Sequence, residues 1–540
     1  MTQTRALLGG LAALCVSAAP AEAQLVAHHH LAFAIGDGNA KVAVRVSGLT
    51  GTELLVRMPA WYPVFTPGIR SARPPAGWKL RATRGETALT INPRLPQSLW
   101  TISTGGATTI TLHHEIPIVG RTVATGLGQR NPHTFRKAGA ADGKPETMRY
   151  HESFVLRGGS TWLEVPGAKQ RLTVALPPGF EVATALPRSD DGSYAAVDYA
   201  TLAGSPLHIG KFKTTQFAVD GIAHHVVFSG FDRDRTDRKE FTDRLAKIIR
   251  ANRFAMGPLP YSDYVFLFGR KSGQPSATGH SRCAEIVTHQ LRSSPILLRH
   301  IARAHLAAWN GKFFHPAARD SQGSIERHTL TKEAWFWLGV EEYHAELAIV
   351  RAGLEKPDPF WTRTIAAQIN RLQRDSRRLK TSVAATGARI RAPKDMLQPG
   401  APHPRLVGQL LCLLLDVEIR ANTGGKMSLD HAVRGLARQC AARRRGYTNA
   451  DIRDWCEKTG GRKFANIFAC VTSIQELPLT ATLAKAGVEA HPGLQATPKK
   501  TKNKRVPEIR RRAPRWRITL APKPSDATLR LRTSLTKQGD

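Results

Sequence analysis

Acidic residues are scarce in this 540-residue chain: 42 Asp and Glu stand against 78 Lys and Arg, a formal net charge of +36. A surface with that balance is drawn to anions, whether lipid headgroups, cell-wall polyanions, nucleic acid or acidic proteins. Cysteine is also sparse, at six residues. No two of them form a Cys-x-x-Cys pair, which argues against a structural zinc knot. Beyond the N-terminus no apolar run is long enough to span a bilayer. There is no G-x-x-x-x-G-K-[ST] loop to cradle phosphates. There is no G-x-S-x-G elbow either; GHSRC at 279–283 resembles one only superficially. What remains is 41% hydrophobic and 22% charged, an ordinary globular composition long enough for two or three domains.

The first 23 residues have the layout of a signal peptide. Arg5 supplies a positive start, Ala6 to Ala19 an apolar stretch, and Ala21-Glu22-Ala23 a small-x-small cleavage site, making Gln24 the expected first mature residue. Leu14 precedes Cys15, where a lipoprotein would need a small residue. For a bacterial source the expected location is periplasmic or secreted. Cleavage leaves Cys283, Cys412, Cys440, Cys456 and Cys470, an odd number, so at least one thiol stays free or pairs between chains. Cys412 sits in the apolar run LVGQLLCLLLDVEI and reads as a core residue, whereas Cys440, Cys456 and Cys470 have room for one disulfide.

The patterning predicts an α+β protein. Residues 25–215 cluster β-formers with Gly and Pro punctuation, as in KVAVRVSG, TELLVRMP and TTITLHHEIPI, and read as an all-β, sandwich-like domain. Residues 234–490 show helical spacing, as in EFTDRLAKIIRANRFA and TKEAWFWLGVEEYHAELAIVRAGL, and read as a mainly helical domain. Residues 491–540 read as a basic, Pro-containing tail, disordered or loosely attached. KKTKNKRVPEIRRRAPRWR within it carries ten basic residues and one acid, Glu508; the final stretch from Trp516 has the composition of a strand or two.

Several ordered segments resemble the glycyl aminopeptidases, zinc metallopeptidases of the gluzincin type. They are PPGFEVATAL at 177–186, VDYATLAGSPLHIGKF at 197–212, MGPLPYSDYVFLF at 256–268, TGGKMSLDHAVRGL at 423–436 and RGYTNADIRDWCEKTGG at 445–461. The resemblance implies a β domain followed by a thermolysin-like domain, with zinc as cofactor. In that family a helix carries HExxH followed by Trp-Asn. Two His at i and i+4 share one helix face and meet one zinc, the Glu is general base on the metal-bound water, and a Glu on the next helix completes the site.

Trp309 and Asn310 stand for the Trp-Asn pair, so the HExxH positions fall on Arg303, Ala304, His305, Leu306 and Ala307. AWFWLGVEEYHAELAIVRAGL aligns through Trp335, Gly339, Tyr343 and Arg351, which puts Leu338 at the third ligand. The family's Y-Y-x-K-G stretch, whose tyrosine lies near the substrate carbonyl, reads Pro404-Arg405-Leu406-Val407-Gly408, and its G-x-E-H stretch reads Thr278-Gly279-His280. Guanidinium, alanine and leucine offer a metal no lone pair.

Among the remaining histidines, His300 and His305 lie about 140° apart around a helix, a poor pair for one ion. A rebuilt site would draw on His305, His344 and Glu341. A Cys283–His280 dyad is a weak nucleophile signal. The expectation is therefore a metallopeptidase-like pseudoenzyme, without zinc, whose cleft holds Arg303, His305, Trp309, Asn310, Glu341 and Tyr343. Arg303 would receive a peptide or other carboxylate ligand. The alternative is an active, glycine-preferring metallo-aminopeptidase with a relocated metal site. The basic tail, with Trp516 between Arg515 and Arg517, suits anionic lipid or an envelope polyanion; export argues against nucleic acid.

Overall fold

In the computed structural model, the residues described are 24–33, 39–58, 79–94, 99–117, 153–157, 161–292, 294–310, 314–319, 331–375, 377–389, 403–492 and 516–537. The leader and the most basic run, 499–515, lie outside them.

The N-terminal domain is β-rich, as its patterning predicts. Strand Asn39–Ser47 shows why: Ala40, Val42, Val44 and Val46 are buried while the residues between them are exposed or half-buried, the period-2 alternation of a sheet with one face on a core. Each valine contributes about 1.5–3 kcal/mol on burial. This strand sits in a seven-stranded sheet, flanked by Val26–Ala32 on one side and Thr109–Pro117 on the other. Two three-stranded sheets accompany it, and the domain's apolar core includes Trp162, Leu163 and Tyr199.

The second domain opens with a five-stranded sheet, which the helical reading from residue 234 did not foresee. Its strands are β1 (Lys213–Val219), β2 (Ile222–Ser229), β3 (Asp263–Arg270), β4 (Ser276–Gly279) and β5 (Cys283–Thr288), in the order β1-β2-β3-β5-β4. The pairs β2/β3 and β3/β5 are parallel, and β3 runs DYVFLFGR with five consecutive buried residues. A strand covered on both faces shows no alternation, so its pattern does not announce it. The two domains meet where Ala185 packs with Val227, Val265, Leu267 and Cys283. Across the same seam Arg157 Nε donates to Glu285 Oε2 at 2.8 Å.

The helices that build the site are α1 (Arg238–Met256), α2 (Pro295–Leu306), α3 (Ala334–Arg351), α4 (Pro404–Asn422) and α5 (Leu429–Arg443). α3 is buried around nearly its whole circumference and lies at the centre of the largest apolar cluster. α3 and α4 approach through glycines. A Cβ on Gly408 would lie 1.9 Å from Trp335 O, and one on Gly339 would lie 2.4 Å from Gly408 C.

The C-terminal residues are not loose throughout. Strands β6 (Val488–His491) and β7 (Arg517–Leu520) pair antiparallel, and helix α6 (Asp526–Thr536) packs on α3 and α4. Trp516 packs partly buried against the helical core. Asn370 clamps its backbone, accepting from Trp516 N at 2.8 Å and donating to Trp516 O at 2.9 Å. That engagement removes it as an exposed interfacial anchor. All five described cysteines are buried, and the disulfide envisaged among Cys440, Cys456 and Cys470 does not form. No described helix is long and apolar enough to cross a membrane.

Candidate functional site

Helix α2 starts cleanly. Ser294 caps it by accepting from Leu297 N, and Pro295 opens its first turn. Its buried face includes Leu298, Ile301, Ala302 and Ala304. The edge strand β4 lies against it so closely that a Cβ on Gly279 would be 1.9 Å from Ala304 O. Gly279 is therefore fixed by sterics, where only a residue without a Cβ fits.

Arg303 is where the sequence places it, on the α2 face towards α3. Its Nη1 lies 3.4 Å from Glu342 Oε2, and its Nη2 donates to His300 Nδ1 at 2.9 Å. Arg405, from the stretch that stands for Y-Y-x-K-G, donates to the same Glu342 oxygen at 2.9 Å and reaches Glu341 Oε2 at 3.7 Å. Asn310 Nδ2 donates to Glu341 Oε1 at 2.6 Å. One turn away, Arg299 pairs with Glu346 and donates to Glu355 Oε2 at 2.6 Å. Arg299/Arg303 and Glu342/Glu346 are each four residues apart, so α2 and α3 are tied by two rungs of charge.

The electrostatics follow from crowding. Burial, and then Arg405, lower the affinity of Arg303 for its proton. Burial alone would raise Glu342, but Arg405 and Arg303 outweigh it and hold the carboxyl below its usual range. Burial, helped by Arg303, pushes His300 down to about 4. Burial and Arg405 do the same to His403. Two guanidiniums thus share one ionised carboxylate, with two neutral imidazoles nearby.

The other expected cleft residues point elsewhere. His305 is fully buried between α1 and the sheet. It accepts from Asn252 Nδ2 at 3.1 Å on Nδ1, and its Nε2 lies 2.6 Å from Tyr261 Oη. The chain continues from Tyr261 to His224 Nε2 at 3.1 Å and from His224 Nδ1 to Ile222 O at 2.9 Å. A neutral His305 satisfies it, and burial holds its pKa well below 6.5. Tyr343 is also buried and donates to Asp416 Oδ2 at 2.8 Å. Trp309 is half-buried; its indole donates to Pro258 O at 3.0 Å and its ring meets His305 edge-on. Of the six, the structure brings Arg303, Asn310 and Glu341 together, and adds Glu342 and Arg405.

The rebuilt metal site fails on geometry. His305 is bound to Asn252 and Tyr261, His344 to Val340 O and Asp430, and Glu341 to Asn310. Among the described residues no group of three or more His, Cys, Asp or Glu side chains is placed to hold a metal ion. The positions that would hold the family's zinc do not fit it. Arg303 and Leu338 supply no ligand atom, Ala304 no base, Ala307 no imidazole. The Cys283–His280 dyad fails too: burial pushes the Cys283 thiol far up and His280 down to about 4, which leaves neither thiolate nor effective base.

Residues 299–401 match the family model of the M61 glycyl aminopeptidases, and residues 138–211 match that of the M61 N-terminal domain. No curated protein sequence matches. The crystal structure of an aminopeptidase N family protein from Idiomarina loihiensis shares the fold, with a TM-score of 0.72 at 17% identity over 87% of this chain and 80% of that one. An M1 zinc metallopeptidase from Deinococcus radiodurans matches at a TM-score of 0.48 and 10% identity, over 84% of this chain and 95% of that one, too distant to carry an argument. Over residues 138–211 and 299–401 the chain is similar to the glycyl aminopeptidase family, with Arg303, Ala307 and Leu338 at the zinc-ligand positions and Ala304 at the base position.

Proposed function

We propose that this protein is an exported, non-catalytic glycyl-aminopeptidase-like protein that binds an anionic partner. One observation carries the non-catalytic part: Arg303 and Arg405 converge on Glu342 where the family places a dication and a substrate-polarising tyrosine. A guanidinium at that point repels a metal and activates no water. The cross-link between α2 and α3 is supplied by ion pairs instead. A peptide carboxylate entering this cleft would compete with Glu342 for the two guanidiniums, flanked by Asn310 and Trp309.

Export rests on the leader, with Arg5, the Ala6–Ala19 run and the Ala21-Glu22-Ala23 site. In an envelope, the basic segment from Lys499 meets anionic lipid or a polyanion.

Metal analysis of the purified protein, with release of N-terminal glycine from test peptides, decides the first part. Neither zinc nor release is expected; stoichiometric zinc with glycine release overturns the reading. The second part is tested by excising residues 493–515 and joining Pro492 to Trp516 through a short Gly/Ser link, which spares β6, β7 and α6. Binding to anionic vesicles at low salt should fall sharply. Unchanged binding removes the basic segment from the account.

A further inference from the structure

The seven-stranded sheet of the N-terminal domain has one face on the core and one outside, and the outside face is cationic. Strand alternation decides which residues point out. In Val26–Ala32, Ala27, His29 and Leu31 are buried, while His28 is half-buried and His30 exposed. The pairing register then lines up outward residues across neighbouring strands. Arg171, His28, Arg45 and Thr111 stand side by side in one row, with Thr83 at its end. Thr173, His30, Ala43 and His113 form the next row, with Arg81 at its end. On the other side of the first row lies a third, which begins with Lys169 and Val26.

The acids on this face are already engaged. Asp191 accepts from Arg171 Nη2 at 2.7 Å and from Ser193 Oγ at 2.6 Å. Glu115 Oε2 accepts from Asn39 Nδ2 at 3.0 Å. Lys41, Arg45, Arg81 and Lys169 are exposed, and among the described residues none of them is paired with a carboxylate. Their field is felt by the two half-buried imidazoles. Burial, then His30 and Arg171, lower His28; burial, then Arg81, lower His113.

Three of the unpaired cations fall on one diagonal. From Lys169 to Arg45 is two strands and one row, and from Arg45 to Arg81 is the same step again. With strands about 4.8 Å apart and successive outward residues about 6.8 Å apart, each step is about 12 Å. His28 lies beside the first step, Thr111 and His113 beside the second. Such a track fits a stiff polymer with anions on alternate units. Duplex DNA, with one charge per about 1.7 Å of axis, is far denser. The outward positions of these five strands hold no Phe, Tyr, Trp, Leu, Ile or Met. Nothing there stacks on a base or sinks into a bilayer interface. What they offer is guanidinium, which matches a carboxylate, and hydroxyl and imidazole groups, which suit sugar hydroxyls.

We propose that this sheet face is a docking surface for a linear acidic polysaccharide carrying uronate sugars, laid along the Lys169–Arg45–Arg81 diagonal. Each cation takes one carboxylate, and the threonines and histidines between them hydrogen-bond the intervening sugar. The surface is separate from the cleft between α2 and α3 and from the basic segment after Lys499, and it acts without either.

Titration of the full-length protein with hyaluronate, a polymer with a carboxylate on every second sugar, tests this at low salt. Arg45→Glu combined with Arg81→Glu should weaken binding about tenfold, the scale set by two exposed charge contacts. Lys247→Glu combined with Arg250→Glu, two exposed positions on α1, makes the same change in net charge and should leave binding unchanged. Equal losses in the two variants, or none in the first, overturn the proposal. So does abolition of binding by excising residues 493–515 alone. Tighter binding of single-stranded DNA or anionic vesicles than of hyaluronate, lost in the same Arg45/Arg81 variant, also overturns it. Should the charge reversal disturb folding, Arg45→Gln combined with Arg81→Gln decides: with an unchanged circular dichroism spectrum it should still weaken binding, and wild-type affinity refutes the assignment.

Discussion

Helix α3 carries two clusters of charge, and they differ in almost every respect. The one towards α2 replaces a metal site; its members, Arg303, Arg405 and Glu342, keep 18%, 15% and 22% of their side-chain surface. The one at the helix end, around Asp430, is buried and tied to the last helix of the chain, where Arg351 and Arg420 donate to Leu535 O and Ser534 O. In the first, solvent screens each pair and the members contribute modestly. In the second, every charge depends on the others, since an unpaired buried ion is costly. The ion pairs that stand at the family's zinc-ligand positions occupy a half-open part of the fold. The part that fixes the architecture lies in the buried one.

The largest effect should come from Asp430. Asp430→Ala leaves Arg351 and His344 buried without their carboxylate and should cost about 3–5 kcal/mol in denaturant unfolding. Glu342→Ala in the front cluster should cost about 1–3 kcal/mol. Equal losses would abolish the contrast. Next is the contact on which both clusters are mounted. Gly408→Ala drives a methyl into Trp335 O and should destabilise by about 1–3 kcal/mol, seen in the same titration.

Acid should then act through the buried histidines of both domains. Burial holds His29, His114, His208, His224, His280, His300 and His403 at about 4 instead of 6.5. Stability from such groups is present above 6.5 and lost as pH falls towards 4. The melting temperature should drop across that window. The smallest effect belongs to Glu346, which burial raises to about 7 against the opposing pull of Arg299. Its contribution is present below 4.5 and lost as pH rises through 7. Glu346→Gln should flatten that part of the stability profile and leave the acid limb unchanged.

The sequence made the replaced ligand positions legible because Trp309-Asn310 and the α3 glycine-tyrosine pattern fix two helices independently. It also located Gly408 and Gly279, whose reason is visible only in three dimensions, where each lets backbone meet backbone. The partners in the cleft were harder to see. Glu342 was passed over for Glu341, and Tyr343 was aimed at the cleft when it faces α4. α3 is buried on all sides, so no amphipathic stripe tells which residues face outward. The strands β2, β3 and β5 were hidden for a similar reason, being apolar on both faces. The C-terminal helix was obscured by the basic run before it, because composition averaged over 491–540 conceals eleven residues that dock.

The pairing of β6 with β7 makes the basic segment a bight in the chain, closed at its base by four residue pairs. A single cut between Pro492 and Trp516 would sever the polypeptide without separating its pieces. The C-terminal fragment would remain seated by strand pairing, by the Asn370 clamp and by Arg351 and Arg420. Nicked protein should run as one species in native solution and as two after denaturation, like a two-part complex assembled from one gene product.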